Sequence, residues 1–355
     1  VRNVRLIRMP MKEKKILLIL TGGTIAMVQD PSNGALRPAD TEHFKEYIPE
    51  LFSSRIHVEI KPFTPFIDSS DMNPDIWSRL AHLVFDNYAD FDGFVITHGT
   101  DTMAYTASAL SFMLENLSKP VVLTGSQLPM GALRSDANEN LLTAIEIAAE
   151  QDEEGYSVVP EVSIFFGDRL YRGNRTTKRA AENFDAFRSF NYEPLAIAGV
   201  HIKYFPHLIH YPDIQKPLRL HTTINQHVTL LKLFPGISED TVKAILNIDN
   251  LRAVILETYG SGNAPTAPWL IEALKKAVSK GIIVVDKTQC MSGSVEMGRY
   301  ETSLSLMQAG VISAYDMTTE ALLTKLMYLL GEYEDNTEQV KQLLQKNFCG
   351  EVTVD

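Results

Sequence analysis

Short apolar runs and longer segments of helical period alternate along nearly the whole chain. Residues 15–20, 92–97, 120–123, 161–166, 228–233, 253–256 and 281–285 are rich in Val, Ile and Leu. A strand covered on one face alternates apolar with polar residues, and these runs do not. They predict strands buried on both faces, as in a parallel sheet. Between them, residues 102–114, 137–149, 238–246, 269–279 and 319–330 predict helices with an apolar face. Ser238, followed by Glu239 and Asp240, and Thr318, followed by Glu320, have the composition of helix N-caps. Strand and helix in alternation predict an α/β fold.

The pattern breaks between Lys203 and His227, where Pro206, Pro212 and Pro217 fall among His and Tyr without a steady period. A chain of 355 residues also exceeds what one core usually supports. We therefore expect a larger N-terminal doubly wound α/β domain (1–205), a connector (206–224) and a smaller C-terminal parallel α/β domain (225–355). His207 and His210 fall in the connector and are expected to be solvated.

Composition narrows the function classes. With 45% hydrophobic and 22% charged residues the chain has an ordinary globular make-up. The net charge is -11, and Lys and Arg are scattered. A nucleic-acid binder needs a basic stripe to displace counterions, and an anionic membrane would repel this surface, so neither is an expected partner. The two cysteines, Cys290 and Cys349, have no metal-ligand spacing and cannot make a disulfide framework, which fits a reducing compartment. The apolar run behind the basic N-terminus, 16–20, is too short for a signal sequence or a membrane span. The expected location is the cytoplasm.

In parallel α/β sheets the carboxyl ends of the strands form the ligand crevice. The predicted strand ends here carry hydroxyls and glycines: Thr21-Gly22-Gly23-Thr24, Thr97-His98-Gly99-Thr100-Asp101, Thr124-Gly125-Ser126-Gln127 and Gly260-Ser261-Gly262-Asn263. A Gly-Gly pair allows close backbone approach to a ligand, although a plain strand-to-loop turn is its commoner use. Neither a dinucleotide fingerprint nor a phosphate loop is present. Asp101 and Thr100 stand where a helix opens, so either reads equally well as an N-cap. No His/Glu pair has metal-ligand spacing.

Together, Thr21-Gly22-Gly23-Thr24-Ile25-Ala26 and His98-Gly99-Thr100-Asp101-Thr102-Met103 resemble the two signatures of the L-asparaginase/glutaminase family. The resemblance continues in Ile67-Asp68-Ser69-Ser70-Asp71-Met72, Gly173-Asn174-Arg175-Thr176-Thr177-Lys178, Gly260-Ser261-Gly262-Asn263-Ala264-Pro265 and Thr288-Gln289-Cys290. The last of these and the segment before Lys178 look like the cytosolic type I bacterial branch.

The resemblance implies an amidohydrolase acting on L-asparagine through a threonyl ester, with no metal or organic cofactor. It assigns Thr24 as nucleophile and Thr100, Asp101 and Lys178 as a hydrogen-bonded catalytic set. Such a hydroxyl needs a base during attack. Desolvation of a lysine and a neighbouring aspartate act on it in opposite directions, and the sequence does not decide between them. The resemblance also implies that Asp101 binds the substrate amino group and Ser69 its carboxylate. Ser70 stands where type II members have glutamine. Asn263 matches a residue supplied to a neighbouring subunit's site, implying a homodimer or homotetramer.

Two positions depart from the family. Many members carry a tyrosine about ten residues after the nucleophile, where this chain has Gly34-Ala35-Leu36; Tyr300 matches a tyrosine that some type I relatives supply from the second domain. Thr177 and Cys290 match an effector site of some type I enzymes. Glu257, however, stands in the place of an arginine there and cannot pair an effector carboxylate, so activation by asparagine is not expected. The rivals are a glutaminase, an amidotransferase amidase subunit and a non-catalytic amino-acid-binding protein. The first signature begins at residue 21, leaving no room for the extra N-terminal domain usual in that subunit. A non-catalytic protein would not need Thr24, Thr100 and Lys178 together.

Overall fold

The apolar runs at 15–20, 92–97, 120–123, 161–166, 253–256 and 281–285 form strands with both faces buried, whereas the run at 228–233 forms the sheet-edge strand Val228–Lys232, of which only Leu231 is buried. In Lys14–Gly22, Leu17 and Ile19 enter one core while Ile16, Leu18 and Leu20 enter the other, as the two-residue period of a strand requires. The computed structural model describes residues 13–29, 36–38, 48–50, 56–298, 301–334 and 336–354.

Two principal sheets organise them. The N-terminal sheet has eight strands in the order Lys203–Tyr204, Ala196–Ile197, Arg169–Arg172, Val162–Phe166, Val121–Thr124, Gly93–Thr97, Lys14–Gly22 and Ile56–Ile67. From Val162–Phe166 to Ile56–Ile67 all neighbours are parallel. The other edge is antiparallel, which makes the sheet mixed rather than wholly parallel. The C-terminal sheet is parallel throughout, in the order Val228–Lys232, Ala253–Thr258, Ile283–Thr288 and Ile312–Ser313. Helices such as Met103–Met113 and Ala137–Ala149 cover opposite faces of the first sheet. Pro268–Ser279 and Thr319–Glu332 do the same for the second.

Ser238 and Thr318 cap their helices, accepting from Thr241 N and Ala321 N. Among the described residues no helix is long and apolar enough to cross a membrane. The long strand Ile56–Ile67, with Pro62 and Pro65, runs at the edge of the sheet, where a missing N–H is tolerated. Its pairing with Lys14–Gly22 slips between Leu20 and Gly22, bringing Ile67 beside Gly22. The segment 68–71 therefore emerges next to the loop that carries Thr24.

The stretch 206–224 is more structured than its composition suggests. Arg219–Leu220 pairs antiparallel with Leu114–Glu115. The His221 ring lies between Glu115 (2.7 Å) of that short strand and Glu332 (3.1 Å) at the end of helix Thr319–Glu332. His207 is exposed as expected. His210 is half-buried instead, its backbone N–H donating to Glu161, and burial lowers its pKa.

Candidate active site

Three parallel neighbours in the first sheet end side by side, with Leu20 level with Thr97 and Thr97 level with Thr124. Their following loops share one edge, and two glycines let them touch. Gly23 has φ 76° and ψ 171°, and a Cβ there would lie 2.4 Å from Gly99 N. A Cβ on Gly99 would lie 2.5 Å from Ser69 Oγ. Glycine is thus a condition of the contact between the loops carrying Thr24, Ser69 and Thr100.

Thr24 opens a single 3-10 turn, Thr24–Ala26, and is half-buried. Thr100 and Asp101 are not helix caps. The cap of Met103–Met113 is Thr102, which makes no side-chain cap bond; its hydroxyl donates to Ser69 O at 2.7 Å. Thr100 and Asp101 turn instead to Lys178, whose Nζ donates to Thr100 Oγ1 at 2.8 Å and to Asp101 Oδ1 at 2.7 Å. The Lys178 side chain is 17% exposed and that of Asp101 67%. The ion pair is therefore open to water on the aspartate side and worth little as a stabilising contact.

His98 has a supporting role that its sequence position did not reveal. It is fully buried, with Nδ1 2.7 Å from Gly99 O and Nε2 2.8 Å from Thr106 Oγ1. A carbonyl only accepts, so Nδ1–H donates to Gly99 and Nε2 accepts from the Thr106 hydroxyl. Thr106 in turn accepts from Trp77 Nε1 at 3.1 Å. Burial pulls the His98 pKa down to about 4, so the ring is neutral and orients the Gly99 peptide. Among the described residues no group of three His, Cys, Asp or Glu could hold a metal ion.

Asp68 organises the neighbouring loop. Its Oδ1 accepts from Ser70 N at 2.9 Å and from Ser70 Oγ at 2.7 Å, and these bonds hold its carboxyl below the ordinary range. Ser69 is buried and Ser70 exposed.

The other candidates lie on the second sheet. Asn263 closes the loop after Ala253–Thr258, its backbone exchanging two 2.8 Å hydrogen bonds with Tyr259. Beneath that loop Asp286 is buried, accepting from Thr258 Oγ1 at 2.6 Å; burial raises its pKa to about 6. Thr177 and Cys290 line one cleft of about 40 Å³ with Lys287 and Thr288, room for a few waters. Close by, Glu257 accepts from Thr319 Oγ1 at 3.3 Å. Tyr300 lies outside the described residues, as do Gly34 and Ala35.

Comparison with known proteins identifies both domains and the fold. Residues 15–210 match the family described as Asparaginase, N-terminal, and residues 227–344 match the Glutaminase/Asparaginase C-terminal domain. The chain is 46% identical to L-asparaginase 1 of Escherichia coli (strain K12), over 97% of this chain and 100% of that one. Its fold superposes on L-asparaginase I of Vibrio cholerae O1 biovar eltor with TM-score 0.86 at 42% identity, covering 96% of this chain and 100% of the other. The thermostable L-asparaginase of Thermococcus kodakarensis gives the same TM-score at 34% identity, again over 96% and 100%. On the two domain matches and the identity over nearly its full length, the chain belongs to the asparaginase/glutaminase family.

Proposed function

We propose that this protein hydrolyses the side-chain amide of L-asparagine to L-aspartate and ammonia, with Thr24 as nucleophile. The observation that carries the reading is the reach of Lys178 to both Thr100 and Asp101 on the loop that Gly23 touches. Thr24 Oγ bonds to the amide carbon while its proton passes to the Thr100–Lys178 side of the site. The C–N bond then breaks, the leaving nitrogen takes a proton and departs as ammonia, and water attacks the aspartyl ester to release aspartate and restore the hydroxyl. Backbone N–H groups beside Thr24 and Thr100 are the donors available to the tetrahedral oxyanion, each such donor commonly being worth about 10²–10³ in rate. The chemistry calls for no metal or organic cofactor.

In this reading Asp101 holds the α-ammonium, Ser69 the α-carboxylate, and Ser70 lies beside them. Tyr300 supplies a hydroxyl from the second domain, and Asn263 completes the site of a neighbouring copy. The working unit is then a homodimer or homotetramer, placed in the cytoplasm, and the chain divides at the connector 206–224. Thr177 and Cys290 do not form an asparagine-activated effector site, because Glu257 stands beside their narrow cleft. Asparagine is preferred to glutamine, whose one extra methylene is worth about 1–3 kcal/mol of discrimination.

The test is ammonia release from asparagine and glutamine by the wild type, Thr24→Ala and Lys178→Ala. Thr24→Ala should be inactive, and Lys178→Ala should lose about 10²–10⁴ in kcat, the usual worth of a positioned base. A wild type that releases no ammonia from asparagine defeats the reading, and a fully active Thr24→Ala defeats the choice of nucleophile. Full activity in a monomer by light scattering removes the role given to Asn263. A sigmoidal rate curve in asparagine contradicts the absence of an effector site.

A further inference from the structure

Lys178 sits on a segment with little regular structure of its own. Residues 173–178 comprise one 3-10 turn, Gly173–Arg175, and a two-residue strand, Thr177–Lys178, paired antiparallel with Phe187–Arg188. Much of what fixes this segment comes from the second domain and the last residues of the chain. Arg175 is 2% exposed, and its guanidinium donates three ways: to Asp316 Oδ2 at 2.7 Å, to Gly350 O at 2.6 Å and to Thr353 Oγ1 at 3.0 Å. The other oxygen of Asp316 accepts from Thr353 N at 2.8 Å, so one carboxylate joins the segment to the tail. Asn174 Nδ2 donates to Cys349 O at 3.2 Å.

The second grip is at Thr177, whose hydroxyl donates to Glu320 Oε1 in a close hydrogen bond. Successive side chains of an extended segment point to opposite sides. Thr177 accordingly turns into the second domain while Lys178 turns to Thr100 and Asp101. Glu320 stands in the first turn of helix Thr319–Glu332 and Asp316 just before that helix. Glu320 is buried, and its Oε2 has no hydrogen-bond partner among the described residues. An apolar residue would fill this place without the desolvation cost of a half-satisfied carboxylate. A carboxylate kept here needs a reason beyond packing, and its one hydrogen bond to another side chain of the first domain falls next to the lysine of the site.

We propose that Asp316 and Glu320 are positioning residues for Lys178: through Arg175 and Thr177 they hold segment 173–178 so that Nζ meets Thr100. The proposal rests on the reading of Lys178 given above. It makes the second domain a part of the site within one chain, separate from whatever Asn263 gives to a neighbour.

The experiment measures kcat and KM for asparagine, with folded fraction from thermal unfolding, in Glu320→Ala, Glu320→Gln, Thr177→Val, the double variant Thr177→Val/Glu320→Ala, Asp316→Asn and Lys178→Ala. A misplacement of about 1 Å costs on the order of a hundredfold in rate, so Glu320→Ala and Asp316→Asn should lower kcat about tenfold to a hundredfold with KM nearly constant. Glu320→Gln keeps an oxygen that accepts from Thr177 and should recover most of the loss. The double variant should be no worse than the poorer single one, since both remove the same bond. Thr177→Val removes that bond from the other side and keeps the test decisive if Glu320→Ala does not fold. The proposal is overturned if folded Glu320→Ala or Thr177→Val keeps kcat within about twofold of wild type, if Gln and Ala are equally impaired, or if the double loss is the product of the singles. Failure of the underlying reading shows separately, as a Lys178→Ala enzyme at the wild-type rate.

Discussion

Replacing Gly23 by alanine should inactivate the protein far more than it destabilises it. At φ 76° and ψ 171° the residue lies in a region that is essentially reserved for glycine, and holding a side chain there costs about 1–3 kcal/mol. The added Cβ would lie 2.4 Å from Gly99 N and 2.6 Å from Gly99 Cα, whereas non-bonded carbon contacts settle near 3.5–4.0 Å. The loops bearing Thr24 and Thr100 must therefore part by about 1 Å, a displacement that costs on the order of 10² in rate when reacting groups are misplaced. Gly281→Ala is the control, since its φ of 87° carries strain but nothing lies within 4 Å of the new Cβ. Denaturant titration should find both variants destabilised by a few kcal/mol at most. Ammonia release at saturating asparagine should fall about a hundredfold in Gly23→Ala alone. If Gly23→Ala keeps its kcat within twofold of Gly281→Ala, close approach of the two loops is not what makes the site work.

Two buried groups should give stability opposite dependences on pH. His98 sits at about 4 in the folded chain against an ordinary value of 6.5; the unfolded chain binds more protons between these values, so about 3 kcal/mol present above pH 6.5 is lost as pH falls towards 4. Guanidinium titrations of wild type and His98→Asn from pH 4 to 7 read this, and parallel curves would refute it. Asp286 runs the other way, at about 6 against 3.8: the folded chain binds the extra proton, so about 3 kcal/mol present below pH 3.8 is lost as pH rises through 6. Asp286→Asn should gain on the wild type across that window, and a constant difference would count against it. The pair Lys325–Glu351, both side chains 0% exposed and 2.6 Å apart, should cost about 3–5 kcal/mol when Lys325→Met strands the carboxylate. Lys325→Met/Glu351→Leu should not recover that loss, because Lys325 also donates to Leu344 O and Lys346 O and Glu351 also accepts from Phe348 N and Cys349 N; a single variant near wild-type stability would show that the pair is not dry.

The fold was legible where burial is two-sided or periodic. The runs at 15–20, 92–97 and 253–256 became central strands because nothing but a covered sheet suits uninterrupted Val, Ile and Leu. Helix Pro74–Asp86 went unpredicted although Asn73 followed by proline marks its start and caps it. The antiparallel edge had no comparable signal, since Ala196–Ile197 and Lys203–Tyr204 are too short to show a period. At the candidate site, the strand-end threonines and Lys178 were named from motifs, and the fold brings Lys178 to Thr100 and Asp101. What holds them could not be named so: Arg175 and Asp316 are 141 positions apart, and Thr177 and Glu320 143. No local pattern records a bond that only tertiary packing creates. Asp68 is the exception, because a side chain accepting from the backbone two residues on is a local habit of aspartate.

Asp68 also changes how the two serines beside it divide the recognition of a small zwitterion. The Ser70 hydroxyl donates to Asp68 at 2.7 Å, and the same contacts keep that carboxyl ionised through the neutral range. Ser70 therefore turns lone pairs, not a proton, to any ligand. It can accept from an ammonium group and cannot donate to a carboxylate without giving up Asp68. Ser69 is the one with its hydroxyl uncommitted to a described residue, and it is buried against Gly99. Within the proposed reaction, the α-carboxylate falls to Ser69, while Ser70 joins Asp101 at the α-ammonium. Ser69→Ala should then weaken inhibition by a dicarboxylate lacking the amino group, and Ser70→Ala should leave that inhibition unchanged while raising KM for asparagine. Equal weakening by both substitutions would mean that the Ser70–Asp68 bond breaks when substrate binds.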